Sequence, residues 1–68
     1  MRLGGLTARE LEVLVEVGRG RANAEIGATL FLSGATVKAH VSRLLVKLDV
    51  ANRVQLAILA YEAAIDGS

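Results

Sequence analysis

The sequence predicts an all-α fold: a compact four-helix domain that contains a helix-turn-helix. Three observations lead there. Apolar residues recur at helical spacing in four segments, and no stretch has the alternation of a half-buried strand. Each segment follows a residue suited to capping a helix N-terminus, namely Thr7, Asn23, Ser33 and Asn52. Short connections between the segments hold successive helices in one body.

The first helix is expected over about 7–19. Thr7 and Glu10 form a capping box, in which hydroxyl and carboxylate each accept from an orphan backbone N–H. Leu11, Leu14, Val15 and Gly18 follow at helical spacing, and Gly18 and Gly20 offer stop positions. Asn23 caps a second helix, about 24–30, with Ile26 and Leu30 one turn apart. Ser33 caps the third, about 34–48, and Asn52, with Gln55 three residues on, caps the fourth, about 53–64. Met1–Gly5 reads as linker, residues 6–65 as the domain and 66–68 as a tail.

Sixty-eight residues make one domain, and a chain of this size buries only about 60 % of its unfolded surface. Apolar residues at 53 % fill that core and leave some for a partner. The sequence reads as a domain excised from a longer regulator. Cysteine is absent, which rules out a disulfide framework and thiolate metal sites and is compatible with the cytoplasm. No apolar run approaches the roughly 18 residues of a membrane span.

A net charge of +1 hides an asymmetry. Residues 1–18 carry −1 and residues 54–68 carry −2. Between them Arg19, Arg21, Lys38, Arg43, Lys47 and Arg53 outweigh Glu25 and Asp49, giving +4. A basic middle between mildly acidic ends is a modest electrostatic footprint for a polyanion, and a solvated charged face is the alternative reading.

The third helix concentrates that signal. On a 100° wheel Val37, Val41, Leu44, Leu45 and Leu48 fill about one third of the circumference as a core stripe. Opposite lie Ala35, Ala39, Ser42, Arg43 and Val46, flanked by Lys38 on one side and by Thr36, His40 and Lys47 on the other. Such a face is small in its middle and basic at its margins. It suits a major groove walled by phosphates. With the second helix, joined through Phe31-Leu32-Ser33, it forms a helix-turn-helix candidate. Gly27 is small where the helices cross, and Leu32 and Val37 fill the angle.

"LTARELEVL", "NAEIGATLFLSGATVKAHVSRLLVKL" and "NRVQLAILA" together resemble the LuxR/NarL-type (GerE-like) DNA-binding domain, from Leu6 to about Ala64. The resemblance implies a four-helix fold that binds double-stranded DNA as a dimer and regulates transcription. The nearest likeness is to two-component response regulators, in which an N-terminal receiver or sensor domain controls this one. RNA polymerase is a further partner that it leaves open. Position by position it places Ala35, Lys38, Ala39 and Ser42 at the bases. It places Asn23, Thr36, His40, Arg43 and Lys47 at phosphates. Two departures stand out. Gly27 replaces the family's usual Ala, which should loosen the second helix by up to about 1 kcal/mol. Ala35, Ala39 and Ser42 are short, so readout should lean on Lys38, methyl contacts and DNA shape.

The fourth helix is too apolar to hide one face only. The alanine-rich stripe of Ala57, Ala60 and Ala64 with Leu56 is assigned to the core. Val54, Ile58, Tyr61 and Ile65 then remain for a second copy, where the resemblance also places the family's dimer contacts. One helix pair buries little area, so the homodimer should be weak without DNA, and its two-fold calls for a pseudo-palindromic site.

Enzyme readings fail on chemistry. His40 is the single histidine and has no partner for a metal, and Ser33, Ser42, His40 and Asp49 sit on or beside one helix with no oxyanion site. "GRGRAN" lacks the strand and the GKS/T ending of a phosphate loop. Phe31 and Tyr61 are too few to stack single-stranded bases. No catalytic residue, cofactor or metal is expected. The rival is a small helical protein–protein interaction module, which would want large exposed apolar residues on the third helix, where only Val46 qualifies.

Overall fold

The computed structural model describes the backbone of residues 2–66 and the side chains of residues 4–64. A 3₁₀ turn, Arg2–Gly5, precedes α1 (Ala8–Gly18), α2 (Asn23–Leu30), α3 (Gly34–Lys47) and α4 (Arg53–Asp66). These are the four expected helices in the expected order. No described helix is long and apolar enough to cross a membrane. The side chain of Ile65 lies outside the described residues.

Local chemistry explains most boundaries. The Glu10 N–H donates to Thr7 Oγ1 at 3.1 Å and the Thr7 N–H to Glu10 Oε1 at 2.9 Å, so the capping box of α1 is complete. Ser33 Oγ accepts from the Thr36 N–H at 3.1 Å at the start of α3. Asn52 Oδ1 accepts from the Gln55 N–H at 3.0 Å, and Gln55 Oε1 accepts from the Ala51 N–H at 2.8 Å. Only the second cap departs. Ala22, not Asn23, is the N-cap of α2, and its N–H donates to Glu25 Oε1 at 2.8 Å. Alanine contributes no acceptor of its own, and Glu25 supplies the remaining half of the box.

The core joins all four helices: Val13, Leu14 and Val17 of α1, Ile26 of α2, Val37, Val41 and Leu44 of α3, then Leu48, Leu56 and Ala60. The stripe expected on α1 is rotated. Leu14 is buried, but Leu11 and Val15 are each 43 % exposed, because Glu10, Val13 and Val17 face α3 and α4 instead. Gly18 admits α4 so closely that an added Cβ would lie 2.8 Å from the Cβ of Ala60. On α4, Leu56 and Ala60 are buried and Ala57 packs against them, as the wheel indicates. Ala64, assigned to that stripe, is exposed, one turn past the end of the buried face.

The turn between α2 and α3 is tight. Phe31 takes the left-handed conformation (φ 60°, ψ 44°), and the Leu32 N–H returns to the Gly27 carbonyl at 2.8 Å. A Cβ at Gly27 would collide with the Leu32 carbonyl oxygen. The small residue expected where the helices cross is thus sterically required, whatever glycine costs α2 in helix propensity. The turn folds back onto this position, and glycine is what fits.

Candidate nucleic-acid interface

The core stripe of α3 points one way, so the opposite side of the helix faces solvent. Ala35, Lys38, Ala39, Ser42 and Arg43 are all exposed there, and so is Thr36 at the first turn. Val46 is 81 % exposed. Ser33 Oγ also donates to Thr36 Oγ1 at 2.9 Å, which leaves the Thr36 hydroxyl proton directed to solvent or a ligand. The residues expected at the bases and the cations beside them therefore share one exposed helix surface. Along its C-terminal half Ser42, Arg43, Val46 and Lys47 line a shallow depression of about 390 Å³ with almost wholly apolar walls.

Among the expected phosphate residues the surroundings differ. Arg43 is exposed and forms no ion pair among the described residues. The same holds for Lys38. Lys47 is committed instead: its ammonium donates to Glu10 Oε1 at 2.8 Å, and that carboxylate is only 3 % exposed. The Lys47 hydrogen bond, reinforced by the Thr7 N–H, lowers the Glu10 pKa from 4.5 to about 2, and burial opposes this shift without overcoming it. His40 is half-buried, with its Nδ1 sealed from solvent and unpartnered. Of its two ring nitrogens, Nε2 is therefore the one left for a ligand.

Asn23 is half-buried at the first position of α2. Its Oδ1 accepts from the Arg53 guanidinium at 2.6 Å, which leaves the amide nitrogen as the side-chain donor for a ligand. Arg53 also donates to the Arg21 carbonyl at 2.6 Å. Arg53 thus clamps the start of α4 onto the start of α2, a role the sequence reading did not assign. The available signal was a cation in the first turn of a helix, where the backbone dipole disfavours it. Glu16 fills a similar place. It is buried in α1 and receives Arg19 at 2.8 Å and Arg21 at 3.4 Å. Of the basic middle segment, then, four of six cations serve the fold.

On α4, Val54 (69 %), Ile58 (52 %) and Tyr61 (64 %) are exposed, which matches the face left over by the wheel.

Comparison with known proteins is consistent with this geometry. Residues 5–60 match the family described as bacterial regulatory proteins, luxR family. The chain is 52 % identical over 62 residues to YhcZ of Bacillus subtilis (strain 168), described as an uncharacterized transcriptional regulatory protein, covering 91 % of this chain and 29 % of that one. It is 48 % identical over 56 residues to the transcriptional regulatory protein LiaR of the same organism, covering 82 % and 26 %. Response regulator protein VraR of Staphylococcus aureus (strain NCTC 8325 / PS 47) is 42 % identical over 57 residues, covering 84 % and 27 %. The chain spans less than a third of the length of these relatives. With four helices, a helix-turn-helix built on α2 and α3, and a match over most of its length, the chain belongs to the luxR family of bacterial regulatory proteins as a DNA-binding domain.

Proposed function

We propose that this domain reads duplex DNA in sequence-specific fashion through α3 and serves as the effector part of a cytoplasmic two-component response regulator. The observation that carries this is the exposed face of α3. Small side chains occupy its centre, two unpaired cations its flanks, and no acidic residue lies between Glu25 and Asp49. Ala35 and Ala39 let the helix approach base edges closely. Lys38 reaches a guanine O6/N7 edge, and Ser42 serves either donor or acceptor. Thr36, His40 through Nε2, Arg43, the remaining donors of Lys47 and the Asn23 amide meet phosphates.

Two copies would pair through Val54, Ile58 and Tyr61 of α4, with Ile65 extending the strip. One helix pair buries little area, so pairing is weak without DNA. The two-fold places two α3 helices about one DNA turn apart on a pseudo-palindrome.

Gel-shift titration tests this, using a duplex selected from a random pool and an unselected duplex, each at two salt concentrations. Lys38→Ala should lose about 1–3 kcal/mol on the selected duplex and much less on the other. Equal loss on both would reassign Lys38 to phosphate. Absence of salt-dependent binding to either would favour a protein-binding module.

A further inference from the structure

We propose that Val46 is a base-reading residue: its methyl groups pack on the C5-methyl of a thymine at the end of the half-site read by the C-terminal half of α3. This rests on α3 being the DNA-facing helix.

Val46 follows Ala39 by seven residues and Ser42 by four, so on a 100° wheel it falls on the same side as both. At 81 % exposure it is the one large apolar side chain of α3 that stands exposed. A lone exposed valine is ordinary on a protein surface. Two further facts distinguish this one. It lines the depression of about 390 Å³ together with Ser42, Arg43 and Lys47. Of those, Arg43 is exposed and has no ion pair among the described residues, so an anionic partner drawn to it is brought over an apolar recess. In the major groove the apolar group on offer is the thymine methyl, and no other unmodified base carries one. Reach is sufficient as well. Eleven residues from Ala35 to Val46 span about 16 Å at 1.5 Å per residue, close to five base-pair steps. Valine is stiff at χ1, so its methyls arrive in fixed positions without losing much rotamer freedom.

The experiment uses the present chain and a duplex selected from a random pool, remade with deoxyuridine in place of each thymine in turn. Wild type should lose about fourfold in affinity at one thymine per half-site, the worth of one buried methyl. Val46→Ala should remove that penalty while leaving those at other positions intact, and Val46→Ile should retain it. An undiminished penalty in Val46→Ala overturns the proposal. So does a selected site in which no thymine methyl matters, or an equal loss by Val46→Ala on selected and random duplexes. Lys38→Ala is run in parallel to separate the two levels. If it too leaves selected-site affinity unchanged, α3 is not the reading helix. If it weakens binding while the Val46 variants are silent, only the assignment of Val46 has failed.

Discussion

Glu10 is a carboxylate shut inside the domain, yet it stays ionised because Lys47 and Thr7 both donate to it. Its pKa of about 2 lies below its ordinary 4.5. A group depressed on folding binds its proton more weakly in the native state, so its stabilisation is complete above about pH 4.5 and lost as pH falls through about 2. Urea denaturation at stepped pH should therefore show wild-type stability declining across that window. Glu10→Gln should start lower at neutral pH and show a flatter acid decline. An equal acid slope in both would place the titrating carboxylate elsewhere. Phe31 presents the opposite case, a residue whose own backbone is unfavourable. It is 94 % exposed and left-handed, a conformation that disfavours residues bearing a Cβ by about 1–2 kcal/mol. Phe31→Gly should raise stability by up to about 1 kcal/mol, less than the full strain because glycine gains freedom when unfolded. Thermal melts check the sign.

Between α2 and α3 the geometry depends on one missing methyl. Gly27→Ala drives a Cβ into the Leu32 carbonyl, and overpacking of this kind should destabilise the domain by about 1–3 kcal/mol despite alanine's better helix propensity. On α4, Ile58→Asp should leave helicity by circular dichroism unchanged, since Ile58 is 52 % exposed, while abolishing cooperative occupation of the full site. Unfolding in that variant would place Ile58 in the core. These elements divide sharply by how much of them the sequence could disclose. Three of the four caps and every helix were legible because a cap is decided by residues three apart. The phase of α1 was not. Leu11 and Val15 satisfy helical spacing as well as Val13 and Val17 do, and only the positions of α3 and α4 decide which pair is buried. The cap of α2 was misplaced by one residue, because a polar Asn23 outbids Ala22 on composition although Glu25 does the capping. Gly27 was legible as small, but not as sterically required. The contact that requires it is made by a carbonyl of the turn.

At the scale of the whole molecule, charge that looks like a binding surface in the sequence is mostly spent internally. Lys47 answers Glu10 across 37 positions, and Arg53 answers Asn23 across 30, separations that no local pattern exposes. Lys38 and Arg43 alone among the described Lys and Arg side chains have no hydrogen-bonded or ionic protein partner. With Arg43 and Lys47 proposed at phosphates in each copy, a two-copy complex should show a log–log salt slope of about −4 or shallower, since Glu10 already neutralises part of the Lys47 charge. Freeing Lys47 with Glu10→Gln should steepen it by about one unit per copy. A wild-type slope twice as steep would mean that the Arg19–Arg21 turn also meets phosphate.

The clamp formed by Arg53 has a mechanical meaning. It fastens the proposed pairing helix to the helix-turn-helix at two hydrogen bonds of 2.6 Å, so the domain should turn as one stiff lever measuring 29 × 23 × 21 Å. Across the shortest of those dimensions a tilt of about 10° at the pairing surface swings the far side by about 4 Å, just over one base-pair rise. A single slender strip of Val54, Ile58 and Tyr61 is a poor protractor at that tolerance. The spacing between the two α3 helices should then be dictated by the operator, and half-sites moved apart by one base pair should still be bound, with the hinge of adjustment at α4.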